Sequence, residues 1–369
     1  RKGMANKKSL ERVFTVANEY TKVGDLFRID PKELVVGVMP LLSLGLGKEV
    51  MPYLREDEEL PAFMMGLNEF SAMGHVVPDH SIILKKGLGN FIAEIEALWK
   101  KASDPEQQEF FVSVIYSLQG IQAWFKNYAT LARKTLEEVP SEHSDQIENL
   151  VAVASRLDKL RTEPAETFIE AVQLIYGVHC CYHLTGDSLA IGRLDQLLAP
   201  YYQKGASEEE MQEIIDCFWL KCNERVNPNN YFLADQRTYA STTVFYIGGN
   251  FCQGSAAHQW VQQITLGGYA PDDAETPKGG CNPITLMCLR ASRRLPLNAP
   301  CTSLRLYPGM PDNVIEEAAK AILSGGAHPV LLNDDRVTTA LENSGKAMTR
   351  ASSRNFACDG CFEPMIVGA

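Results

Sequence analysis

Cys361 and Glu363 stand two residues apart in the stretch Phe356-Ala-Cys-Asp-Gly-Cys-Phe-Glu-Pro-Met365. Residues i and i+2 of an extended segment share a face, so this spacing aims a thiol and a carboxylate the same way. Gly360 before the pair permits a close backbone approach or an unusual turn, and Pro364 after it blocks regular continuation. A thiol can lend a hydrogen atom or act as a nucleophile. A carboxylate beside it can move a proton. Taken alone, Cys-x-Glu is most often an ordinary loop. Cys358 and Cys361 also form a Cys-x-x-Cys, which suggests zinc or redox work, but the chain has no second such pair and no histidine follows at finger spacing.

The elements that must position this pair belong to a chain of 369 residues, 45% hydrophobic and 22% charged. That is a soluble globular composition, long enough for one large core or two domains. A net charge of -11 argues against a nucleic-acid partner, because phosphate neutralisation needs clustered Lys and Arg. The 10 cysteines show no tight spacing pattern, which suggests reduced thiols in a cytoplasmic setting. No signal peptide is visible. The apolar run over residues 34–46 is broken by Gly37, Pro40, Ser43 and Gly45 and is too short to span a bilayer. A first residue of Arg1, and an end just past the Cys-x-Glu stretch, suggest a fragment of a longer protein.

Apolar periodicity predicts helices over residues 89–101, 110–132, 149–160 and 164–184, the last opening on Pro164. Ser207 with Glu210 forms a capping box that starts a helix running to about Val226. Residues 311–323 form another helix, closed by Gly325 and Gly326. Strand candidates are residues 243–247, 303–307 and 330–332. Strand, helix and strand over residues 303–332 form a βαβ signature, which implies parallel pairing in a buried sheet. Residues 272–280 read as an exposed loop.

Six segments, in order, resemble the glycyl radical enzymes of the pyruvate formate-lyase-like superfamily. They are Gly74-His-Val-Val-Pro-Asp79 with Leu84-Lys-Lys-Gly87, then Pro164-Ala-Glu-Thr-Phe-Ile-Glu-Ala-Val-Gln173, then Gly186-Asp-Ser-Leu-Ala-Ile-Gly-Arg-Leu-Asp-Gln196. Ser324-Gly-Gly-Ala-His-Pro329, Asn333-Asp334 and Asp359-Gly-Cys-Phe-Glu-Pro364 follow. The resemblance implies an α/β fold, part of a ten-stranded barrel wrapped by helices and entered from one end by the cysteine loop. It implies one barrel domain over residues 1–369, truncated at both ends, with 1–240 mainly helical and 241–369 leading to the cysteine loop. The C-terminal domain that stores the glycyl radical is absent from this sequence.

The resemblance also implies roles. Cys361 becomes a thiyl radical and takes a hydrogen atom from the substrate, and Glu363 acts as general base. Adjacent cysteines characterise the C–C-cleaving formate acetyltransferase branch. Phe362 beside Cys361 argues against that branch and for a lyase eliminating water, an amine or sulfite from a small hydroxylated substrate. An arylacetate decarboxylase is the alternative, and a non-catalytic homologue would have lost Cys361 or Glu363. His75 falls where some dehydratases bind a substrate hydroxyl, and reads equally as a packing histidine. Ser188 falls at a substrate-contacting position. Asp187 before it replaces a donor with an acceptor-only anion, which suits a cationic group or a second hydroxyl, or a turn cap. Arg305 ends a core strand and either pairs with a carboxylate or binds an anionic substrate group. Asn333 and Asp334 are expected to shape the barrel mouth. No metal or organic cofactor is expected in the chain itself. An S-adenosylmethionine and iron–sulfur activating enzyme would install the radical. The full-length protein is expected to be a homodimer in an anaerobic cytoplasm, with no nucleic-acid or membrane partner.

Overall fold

The computed structural model describes residues 29–38, 72–183, 186–223, 226–228, 255–257, 262–297, 299–326, 328–345, 348–360 and 362–368. At 72–74, 186–188, 226–228, 255–257 and 326 it describes the backbone only. The expected strand at 243–247 lies outside these residues, as does most of the apolar run at 34–46.

Four long helices form the N-terminal half: α1 (His80–Lys101), α2 (Pro105–Glu138), α3 (Ser144–Leu160) and α4 (Phe168–Tyr182). The periodicity found all four. Asp104 caps α2 by accepting from the Glu106 N–H, with Pro105 in the first turn. Helix α4 begins four residues later than Pro164 suggested. Thr167 and Glu170 form a reciprocal capping box that sets its start. Helix α1 bends at Gly87 (φ 73°), where a Cβ would meet the Glu163–Pro164 backbone at 2.5 Å. The chain crossing there admits no side chain.

Strand β1 (Ala72–Val76) pairs in parallel with β2 (Gly186–Leu189). The chain continues from β2 to Gly192, which bridges Ile264 of β5 (Gln263–Gly267) in parallel. Helices α5 (Leu194–Leu198) and α6 (Glu208–Cys222) and the short antiparallel pair β3 (Val226–Pro228) and β4 (Ser255–Ala257) intervene. The Ser207–Glu210 capping box opens α6 as expected, but the helix ends at Cys222 with Asn223 as its cap.

Strand β5 then pairs in parallel with β6 (Cys301–Leu306), and β6 with β7 (Val330–Asn333). Helix α7 (Pro283–Arg294) connects the first pair and α8 (Asp312–Ala321) the second. The predicted parallel βαβ unit is therefore present. A single π turn (Ile322–Gly326) ends α8, followed after β7 by α9 (Asp334–Glu342) and α10 (Arg350–Arg354). Residues 272–280 form the expected loop.

The sheet has two unlike faces, by the period of two along each strand. Ile264, Leu266 and Leu304 join the helical core with Trp124, Phe125, Tyr176, Phe218 and Trp219. Gln263, Thr265, Ser303 and Arg305 alternate with them, are equally buried, and face the last element of the chain. That element is a hairpin of β8 (Phe356–Asp359) and β9 (Glu363–Ile366).

Candidate active site

The hairpin lies across the polar face of the sheet. At its root, Arg305 Nη1 donates to the Phe356 carbonyl at 2.7 Å, and the guanidinium stacks on the Phe356 ring. Midway, the Cys358 N–H donates to Thr265 Oγ1 at 2.8 Å. At the tip, Gln263 Nε2 donates to the Gly360 carbonyl at 2.5 Å. Strand β8 thus runs antiparallel to β5 across its face, held by Gln263 and Thr265 of β5 and Arg305 of β6, while the Ser303 hydroxyl donates to Thr265 Oγ1. Unpaired polar groups at this depth would cost about 1–3 kcal/mol each.

The sequence reading placed Cys361 and Glu363 on one extended segment. The structure corrects this. Asp359 and Glu363 are cross-strand partners, so the chain reverses between them. Gly360 (φ 55°) and Phe362 (φ 73°) both take the left-handed conformation, which reverses the chain. Cys361 itself lies outside the described residues. Pro364 does not stop the strand. It sits within β9 opposite Cys358, where an edge strand tolerates a missing N–H.

His75 and Glu363 meet at the turn. His75 Nδ1 is 3.6 Å from Glu363 Oε1, with the side chains 42% and 45% exposed. Gly360 lies against both, and a Cβ there would collide with the His75 ring and the Glu363 carboxylate. The structure therefore brings His75, Glu363 and the turn together. Asp187 pairs with Met73 in the β1–β2 register, so its backbone lies beside the strand that carries His75. The side chains of Asp187 and Ser188 lie outside the described residues.

Arg305 is placed elsewhere. Its Nε donates to Asp334 Oδ1 at 2.7 Å, neither side chain is exposed, and Nη1 and Nη2 donate to the Phe356 and Arg354 carbonyls. Of its two readings the carboxylate pair is the one realised, and the guanidinium is fully enclosed. Asp334 also accepts from the Tyr269 N–H, and Asn333 caps α9. Arg193 and Asp195 do similar work. Arg193 donates to the carbonyls of Gly267, Tyr269 and Arg354, and Asp195 accepts from the Gly267 N–H and Thr285 hydroxyl.

Cys358 is fully buried, and burial pushes its thiol up to about 11. A thiol held protonated is a poor metal ligand and a slow nucleophile, which weakens the Cys-x-x-Cys reading. Sequence reasoning missed Asp359, which is also fully buried. Burial pushes its carboxyl up to about 7, with the Glu363 charge adding to the shift and the N–H groups of Gly360, Val76 and Ala190 opposing it. A charged residue between Cys358 and Gly360, in an otherwise apolar strand, was the available signal. A cavity of about 570 Å³ opens on the other side of the hairpin, lined by Ser81, Arg193, Asn355 and Ile366 among others. Neither His75, Asp359 nor Glu363 lines it, so it is not taken as the reaction site.

A sequence profile described as Pyruvate formate lyase-like matches residues 49–369. The chain belongs to this family of glycyl radical enzymes. It is 26% identical to the isethionate sulfite-lyase of Desulfovibrio desulfuricans, over 87% of this chain and 38% of that protein. It is 25% identical to the indoleacetate decarboxylase of Tractidigestivibacter scatoligenes, over 97% of this chain and 41% of that protein. Among solved structures, the glycerol-bound B12-independent glycerol dehydratase of Clostridium butyricum superposes with a TM-score of 0.69 at 25% identity, covering 87% of this chain and 39% of the other. The chain thus spans about two fifths of the length of these relatives. They include a sulfite-lyase, a decarboxylase and a dehydratase, and the structural neighbour has an α/β fold. Among the described residues no helix is long and apolar enough to cross a membrane.

Proposed function

We propose that this chain carries the cysteine loop of a glycyl radical lyase that eliminates water, an amine or sulfite from a small hydroxylated substrate. The observation that carries the reading is the meeting of Glu363 and His75 at 3.6 Å beside the turn that bears Cys361. A carboxylate and an imidazole, both accessible, are suited to take and orient a hydroxyl proton. The parallel run β1–β2–β5–β6–β7, with the hairpin laid across its polar face, is in keeping with one half of a ten-stranded barrel.

With a glycyl radical installed on a domain outside this sequence by a radical-S-adenosylmethionine activating enzyme, Cys361 would give up its thiol hydrogen atom to the glycyl carbon, a C–H bond forming as the S–H bond breaks, and be left as the thiyl. Cys361 then takes a hydrogen atom from a substrate C–H bond, so that an S–H bond forms as the C–H bond breaks. Glu363 accepts the proton of the neighbouring hydroxyl. The leaving group departs from the adjacent carbon with its bonding pair, and Cys361 returns the hydrogen atom to the product. Proximity does much of the work, since the reacting atoms must approach to about 3–3.5 Å. His75 orients the hydroxyl for Glu363. The homodimer and the anaerobic cytoplasm remain part of this proposal.

The likeness to an indoleacetate decarboxylase favours a second reading, an arylacetate decarboxylase in which Glu363 handles the carboxyl proton. One experiment separates the two. The full-length protein is activated anaerobically and given diols, choline, isethionate, dihydroxypropanesulfonate and arylacetates. An aldehyde or ketone formed with loss of a β-substituent supports elimination, whereas carbon dioxide with a methylarene overturns it in favour of decarboxylation.

A further inference from the structure

Asp359 closes the turn opposite Glu363. Directly opposed residues of an antiparallel pair project to one face, with Cβ atoms roughly 5 Å apart. Two carboxyls therefore flank the three residues that include Cys361, and their surroundings are opposite. Glu363 is 45% exposed and faces His75. Asp359 is 0% exposed, and no side chain among the described residues bonds its carboxyl, whose nearest donors are the backbone N–H groups of Gly360, Val76 and Ala190. An ionised carboxylate in such a place would forfeit its hydration for the smaller pull of those N–H groups. A neutral acid loses far less.

We propose that Asp359 is a positioning residue of the radical site: it holds a proton beneath the turn and so leaves Glu363 as the ionised member of the pair. The inference rests on the reading of Glu363 as base. Two close carboxyls in unlike environments divide their roles, the buried one keeping the proton and the wet one the charge. The groups around Asp359 fit this. Glu363 of β9 contributes negative charge, while β1 and the chain after β2 offer only the backbone N–H groups of Val76 and Ala190. From β5, Gln263 is engaged with the Gly360 carbonyl, and the imidazole of β1, His75, lies on the Glu363 side of the turn. When Asp359 ionises, a second negative charge appears beside Glu363 and those N–H groups are drawn to it. The turn then loses the arrangement that serves Cys361.

The test is the pH dependence of the activated full-length protein with and without the ionisable group. For wild type, kcat should fall on the alkaline side with a midpoint near neutrality. Asp359→Asn should keep kcat at pH 6 within about threefold and KM within about twofold, and move the alkaline limb up by about one pH unit or more. Asp359→Val should do the same. Melting of the unactivated protein gives a second readout. The stability of wild type relative to Asp359→Asn should fall from pH 5 to pH 8, and Asp359→Asn should be the more stable of the two at pH 8. An unchanged alkaline limb in both variants overturns the proposal. So does a collapse of the variants at pH 5, which would mean that the fold needs an ionised acceptor there. Turnover surviving Cys361→Ala would instead overturn the thiyl reading, whatever Asp359 does.

Discussion

Arg305 and Asp334 meet at 2.7 Å with neither side chain exposed to solvent. Arg305 stands near the end of β6 and Asp334 opens α9, so the pair joins the sheet to the helix that follows β7. Each partner also holds backbone. Arg305 takes the carbonyls of Arg354 and Phe356, and Asp334 takes the Tyr269 N–H. Removing one partner strands a buried charge, which costs about 3–5 kcal/mol. Asp334→Ala and Arg305→Met should each lower the melting temperature of the full-length protein markedly. The double variant should recover part of the loss, and thermal denaturation of all three reads it.

Gly360 is the position where shape matters more than stability. Its φ of 55° is left-handed, and a Cβ would press on His75 and Glu363. Gly360→Ala should cost about 1–2 kcal/mol of stability from the backbone conformation. It should cost more in turnover, because His75 and Glu363 must both move. The measurement is kcat beside the melting temperature, with the fold loss in kcat expected to exceed what the stability change accounts for.

Cys361 and Glu363 should separate by severity. Cys361→Ala removes the hydrogen-atom carrier and should leave no detectable product. Glu363→Gln keeps the shape and removes the base, and should lower kcat by roughly 10²–10⁴-fold. Product analysis by mass spectrometry, with the radical content of each activated variant measured alongside, distinguishes lost chemistry from failed activation.

His80 makes stability depend on acid. It opens α1 fully buried, with neither ring nitrogen bonded. Burial pushes it down from 6.5 to about 4, against the pull of Asp79. Above 6.5 it is neutral folded or unfolded and adds no pH dependence. As pH falls from 6.5 toward 4 only the unfolded chain takes up the proton, so stability drops by roughly 1.4 kcal/mol per pH unit, about 3 kcal/mol in all. His80→Leu should flatten that part of the profile. Urea unfolding at pH 7 and pH 4.5 is the check.

The helices were legible because each long one carries its own signals: an apolar stripe and, for α6, a Ser207–Glu210 box that both the sequence and the structure contain. The β6–α8–β7 unit was legible for the same reason. Strand β5 was not, because its inward positions on one face are Gln263 and Thr265, polar residues that read as surface until the hairpin they hold is known. Helix α7 was missed because arginines crowd its end, although Asn282 and Pro283 mark its start. At the site, the sequence named both Glu363 and His75, but their meeting shows only in space, and Cys361 lies outside the described residues. The turn could not, since Phe362 takes a conformation usually left to glycine. Asp359 escaped because nothing local says that its carboxyl is enclosed.

The fastening of the hairpin differs sharply between its ends. The Phe356 end is gripped by Arg305 and packed by its own ring, and at the Gly360 end Gln263 holds the turn carbonyl while the half-exposed His75 faces Glu363. It is built as a cantilever, clamped at the base and lightly tethered at the tip. A disturbance at the base should swing the tip through the whole length of β8, while one at the tip should leave the base unmoved. The tip of the hairpin can thus shift without disturbing the sheet that carries it.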